Sequence, residues 1–183
     1  DLGAKHYSVT EWISIDASSG LPSDSVHTVL PTELKGTWIA TAGGMRLWAD
    51  GEVVRPKRIP ESLLDGPVYD LAASDDGVWA AAEAGLFFWN EWRWRFLWPR
   101  NIPLTHTNCI AVTDDGAVIV GTDATVMIFK NGAWQIIESE YPVRDILADR
   151  SGAVWFATEG GGVRLWPRLS DSVVKIASLS GMT

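Results

Sequence analysis

An all-β fold, a β-propeller of about four four-stranded blades, is what this 183-residue sequence predicts, on three observations. One phrase recurs four times, at Trp38–Trp48, Trp79–Trp89, Ile119–Phe129 and Trp155–Trp166, with starts 41, 40 and 36 residues apart. Each copy follows a short apolar run and precedes another, so every unit holds several short strands. Acid–glycine and glycine pairs punctuate the runs where tight reversals are needed. A period near forty built this way is the mark of propeller blades.

The elements follow in order. Val26–Leu30, Val68–Ala72, Cys109–Thr113 and Val143–Leu147 read as inner strands. They end at Asp75-Asp76-Gly77, Asp114-Asp115-Gly116 and Arg150-Ser151-Gly152, with a looser Glu33–Gly36 joint in the first unit. Each phrase supplies two strands joined at Gly43-Gly44, Gly85, Ala124-Thr125 or Gly160–Gly162; the third copy lacks glycine and must turn by other means. Outer strands are expected at Gly51–Arg55, Glu91–Phe96, Ala133–Ile137 and Ser172–Ile176. The blades therefore run over about 21–60, 64–99, 104–139 and 141–178, in one array covering 1–183, and 7–15 reads as an orphan outer strand.

Hydrophobic residues make up 46% and charged residues 21%, enough for a sizeable core. Most of the eleven tryptophans fall on repeat positions and read as architecture. A net charge of −8 opposes nucleic-acid binding, which needs a basic footprint. No apolar run reaches the length of a membrane-spanning helix, so direct membrane insertion is not expected. Asp1 leads one to expect a mature segment or a piece of a longer chain. Cys109, the single cysteine, reads as a buried filler with no disulfide partner.

Gly20–Val26, followed by a Gly-x-Trp-Ile-Ala-Thr-x-Gly-Gly phrase, resembles the two-component regulator propeller repeat. The resemblance covers nearly the whole chain and is best in the first and fourth units. It implies an extracytoplasmic sensor region of a bacterial signalling protein, periplasmic or extracellular. Such sensors resemble rings of seven blades with an immunoglobulin-like domain, a membrane span and a kinase downstream, and this sequence carries none of those parts. Four blades expose apolar faces at both ends of an open array. The chain is therefore expected to be part of a larger propeller or to complete its ring by homo-oligomerisation, with an unusual small ring as the third alternative.

No residues have the spacing of a metal site, a phosphate cradle or a nucleophile elbow, so neither a cofactor, a metal nor a catalytic residue is assigned. Acids recur four places into the phrase at Glu83, Asp123 and Glu159, and on equivalent turns they form an acidic arc near the axis. Within the inner strands His27, Tyr69, Ile110 and Arg144 align, with Asp70 and Asp145 facing the other way. His27, Tyr69, Arg144, Glu83, Asp123 and Glu159 are the candidate ligand residues: the three acids for a cation or a hydroxyl-rich ligand, and His27, Tyr69 and Arg144 for a small anionic or sugar-like molecule such as a carbohydrate. The opposing expectation is that these groups only cap turns and tie blades together.

The densest aromatic run, Trp89–Trp98, places Trp92, Trp94, Phe96 and Trp98 on one side of a strand by alternation. Trp92, Trp94 and Trp98 are accordingly the candidate interface, against blade packing as the bland alternative. The leading functional expectation is a non-enzymatic sensing propeller. A self-assembling scaffold is the second. The third is an enzyme similar to the streptogramin lyases, which Trp155–Glu159 resembles and for which His27 and His106 are the available bases.

Overall fold

Turn chemistry cuts the chain into strands of three to seven residues. The computed structural model describes residues 13–32, 36–90 and 92–167. Sheet one contains β1 (Val26–Thr32), β2 (Gly36–Thr41), β3 (Gly44–Ala49) and β4 (Glu52–Val54). Sheet two contains β5 (Val68–Ser74), β6 (Gly77–Ala82), β7 (Gly85–Trp89) and β8 (Trp94–Leu97). Sheet three contains β9 (Cys109–Val112), β10 (Val118–Gly121), β11 (Thr125–Lys130) and β12 (Ala133–Glu138). Sheet four contains β13 (Val143–Ala148), β14 (Val154–Thr158) and β15 (Gly162–Trp166). Every sheet is an antiparallel meander in sequence order. A one-turn helix, α1 (Glu61–Leu64), links sheets one and two.

The reversals follow from local chemistry. Asp50-Gly51 and Asn131-Gly132 all have positive φ, the twisted geometry that suits a two-residue hairpin. In the third phrase, which has no glycine, the Thr122 hydroxyl accepts the N–H groups of Ala124 and Thr125 at 3.2 and 2.9 Å. A side-chain oxygen thus replaces the backbone freedom of glycine. Thr41 does the same for Gly43 N–H at 3.1 Å. The second phrase has Ala82 at this place, and Thr107 from the next unit donates to the carbonyls of Ala82 and Gly85 instead.

The core lies between sheets. Trp38, Ala40 and Met45 of sheet one pack on Leu71, Ala80 and Phe87 of sheet two. Trp79, Ala81 and Leu86 of sheet two meet Ile110, Val120 and Met127 of sheet three. Ile119, Val126 and Ile128 of sheet three meet Ile146, Val154 and Phe156 of sheet four. The inner strands β1, β5, β9 and β13 are packed in that order, and over the described residues the array is a partial propeller ring. Each internal junction repeats one design, in which a Trp or Ile on the second strand enters the following sheet.

Three expectations are corrected. The register shows β9 displaced from the sequence alignment: Cys109 pairs with Gly121 as Asp70 pairs with Ala81 and Asp145 with Ala157. Cys109 is buried as expected, and it occupies the place of Thr28, Asp70 and Asp145. Ile110 consequently belongs to the core with Val120 and Met127, and Asn108 is the counterpart of Tyr69 and Arg144. The third correction concerns the aromatic run, which does not form one stripe. Trp92 precedes β8 and is 81% exposed, Trp94 packs on Trp38 and Trp89, and Trp98 belongs to the opposite junction with sheet three. The β8 strand ends at Leu97, so alternation does not reach Trp98.

Residues 13–15 of the expected outer strand 7–15 are not strand, and its remainder lies outside the described residues, as do Ser172–Ile176 and positions 33–35 of the first joint.

Candidate functional site

A bulge opens three of the inner strands. The ladder skips one residue between Val26 and Thr28, between Val68 and Asp70, and between Val143 and Asp145. The skipped residues are His27, Tyr69 and Arg144. Such an extra residue breaks the pairing and re-aims its side chain, which is why bulges recur beside binding sites. Asn108 stands at the same place before β9, its N–H bonded to Gly121 O at 2.8 Å.

The acids of the phrase lie just past the second strand of their sheets, on the same side as the bulges. Together the two sets make a continuous polar chain. The His27 and Tyr69 rings are stacked, with centroids 5.4 Å apart and planes 14° apart. Tyr69 donates its hydroxyl to Glu83 at 2.5 Å, and its ring lies 5.8 Å from that of His106. His106 Nε2 is 3.3 Å from Asp123 Oδ2. Asn108 donates to Asp123 Oδ1 at 3.0 Å and to Val143 O at 3.0 Å. Arg144 reaches Asp123 at 2.9 Å and Glu159 through two nitrogens at 2.7 and 2.5 Å.

All six candidate ligand residues are therefore brought into one constellation spanning four sheets. His106 and Asn108 join them. Sequence reasoning weighed His106 only as a base, and Asn108 was hidden by the misplaced β9 register. The one signal that finds Asn108 is that Thr107-Asn108 precedes Cys109 as Val143-Arg144 precedes Asp145.

The electrostatics follow from the contacts. Asn108 holds the Asp123 carboxyl below the usual range, with His106 and Arg144 adding to the effect. Arg144 is pushed further up, first by its bond to Glu159 and also by Asp123. Burial and the bond to Glu83 push the Tyr69 phenol up to about 12. Three carboxylates face one guanidinium, so the constellation is net acidic. Arg144 is already held by two carboxylates and offers little to an anion.

Behind this face the groups are structural. Asp70 bridges two inner strands, accepting Leu71 N–H at 2.8 Å and Ile110 N–H at 2.9 Å. Burial raises its carboxyl above the ordinary value. Burial likewise drives the Cys109 thiol far up, with Asp70 and Asp145 adding to it. Among the described residues no three of His, Cys, Asp and Glu are grouped as a metal ion would require. Among them, too, no helix is long and apolar enough to cross a membrane.

Neither a family model nor a curated sequence matches the chain. Solved structures do resemble it. The extracellular domain assigned to a hybrid two component system, BT3049 of B. thetaiotaomicron, superposes with a TM-score of 0.70 at 18% identity, over 84% of this chain and 23% of that one. The corresponding domain of BT4673 from the same organism gives 0.65 at 16%, over 82% and 22%. The WD40 beta propeller domain of Doa1 gives 0.64 at 20%, over 78% and 50%. The chain thus spans less than a quarter of the two extracellular domains and half of the third structure, and at these identities the likeness is one of fold: the chain is built as propeller blades.

Proposed function

We propose that this chain is a ligand-recognising part of an extracytoplasmic sensor propeller, non-enzymatic, with its binding site on the face where the inner-strand bulges meet. The observation that carries this reading is the polar chain from His27 to Glu159, assembled from all four sheets, three of which re-aim an inner-strand residue by the same bulge. Turn caps alone would bond within their own turns. Here Asn108 and Arg144 instead reach across sheet junctions. The likeness to extracellular domains of two component systems supports a sensing role and a location outside the cytoplasm.

The ligand this chemistry suits is neutral or cationic and rich in hydroxyls, such as a sugar or amino sugar. Carboxylates accept from hydroxyl and ammonium donors, and the exposed His27 ring beside Tyr69 offers a surface for sugar C–H groups. The excess of acid disfavours the anionic alternative. Calorimetric titration with neutral, amino and sulfated saccharides tests the reading. Binding of neutral or amino sugars, weakened at least about tenfold by Asp123→Asn, is the expected result, since a lost charged hydrogen bond costs about 1.5–3 kcal/mol. Binding of only sulfated saccharides, or binding indifferent to Asp123, would refute it.

A further inference from the structure

We propose that the outer edge of sheet two, strand β8, takes an extended acidic segment of a partner protein by edge-strand pairing. This surface is separate from the axial constellation, and the inference does not rest on the ligand reading.

The edge is open. β8 is the last strand of its sheet and is laddered only to β7. Among the described residues no backbone hydrogen bond from outside the sheet reaches Trp94–Leu97. An antiparallel strand turns its N–H and C=O groups alternately to either side, so the outward set is free to receive another chain. Adding a strand at such an edge gives affinity through main-chain bonds and selection through side chains.

Charge identifies the occupant. Arg93 stands just before β8, Arg95 within it and Arg100 three residues beyond its end, and all three are exposed. Among the described residues none of these three side chains has an ion-pair or hydrogen-bond partner. Arg55 beyond β4 and Arg164 in β15 are instead tied to Asp65 and Glu140, at 3.2 and 3.4 Å. From residue 84 to 112 the sequence holds these three arginines and one acid, Glu91, in a chain of net charge −8. Cations along an edge repel strands that do not match them, so the matching strand carries Asp or Glu. Guanidinium groups grip carboxylates with two parallel bonds, which adds geometry to the attraction. The terminal stretches 1–12 and 168–183 hold three acids and three cations between them, so the complementary charge comes from a partner.

The aromatic residues complete the surface. Trp92 is exposed at the head of the strand, and Phe96 is held edge-on to Phe87 with centroids 5.4 Å apart yet is 52% exposed. Tryptophan and arginine together are the composition of interface anchors. A polyanionic saccharide would answer the charge but leave the ladder groups of the edge unpaired, so the peptide is the better fit.

Fluorescence anisotropy with the 183-residue chain tests the proposal. The probes are a short labelled peptide alternating glutamate and valine, its lysine–valine counterpart, and the glutamate peptide methylated at its backbone nitrogens. The glutamate peptide is expected to bind saturably and the lysine peptide not at all. Methylation, which removes the ladder donors, should weaken binding at least about tenfold, and so should Arg95→Gln, which removes a charged hydrogen bond. Far-UV circular dichroism should stay unchanged, since Arg95 is exposed. Arg100→Gln supplies the same test if Arg95→Gln disturbs folding. Absence of binding by the glutamate peptide would overturn the inference, as would binding of a sulfated polysaccharide in its stead. Equal binding of the methylated peptide would also overturn it, because it marks adsorption of a polyanion without strand pairing.

Discussion

At the scale of single residues, the axial constellation is defined by what each side chain can accept or donate. Tyr69 is the most sharply perturbed of these groups, because its proton is held against Glu83 in a partly buried setting. The folded chain binds that proton more tightly than the unfolded chain does. Its contribution to stability is therefore complete below the ordinary phenol value of 10.0 and is lost as pH rises through about 12. The difference in phenolate absorbance between the chain and Tyr69→Phe isolates this titration. Its midpoint should lie near 12 and fall when Glu83 is changed to Gln. A midpoint at the ordinary value would remove the Tyr69–Glu83 bond from the account.

At the scale of elements, each strand is fitted to the sheet behind it. The third phrase has Gly121 where the others have Ala40, Ala81 and Ala157, and the reason is steric. A Cβ there would come within 2.6 Å of Cys109 Sγ and 2.8 Å of Val143 Cγ1. Gly121→Ala should therefore destabilise the chain by about 1–3 kcal/mol, as overpacking does, measured by urea unfolding. Cys109→Ala in the same chain should restore part of the loss, because the two sites are in contact. A neutral Gly121→Ala would show that the junction between sheets three and four is looser than described.

How much could be read beforehand also divides at this scale. The strands of the phrase were legible because Trp38, Trp79 and Ile119 are core residues that recur at the blade repeat, 41 and 40 residues apart. The turn of the third phrase was not, since a threonine hydroxyl leaves no mark as plain as glycine. Asn108 was missed for a related reason. Asn108 lies just before β9, and the apolar run from Cys109 to Val112 draws the start of the inner strand past it. The structure brings the six candidate residues into one constellation, whereas the aromatic run does not form one stripe, because the strand whose alternation it followed ends at Leu97.

At the scale of the whole molecule, four sheets share an axis and turn polar side chains toward it. Nuclear Overhauser contacts across the inner strands measure that arrangement directly. The account predicts cross-peaks between the rings of His27 and Tyr69, between Tyr69 and His106, and between Arg144 and the side chains flanking Asp123. If those three sets were missing from a folded sample, the sheets would not fan about a common centre. The site drawn from them would then not exist.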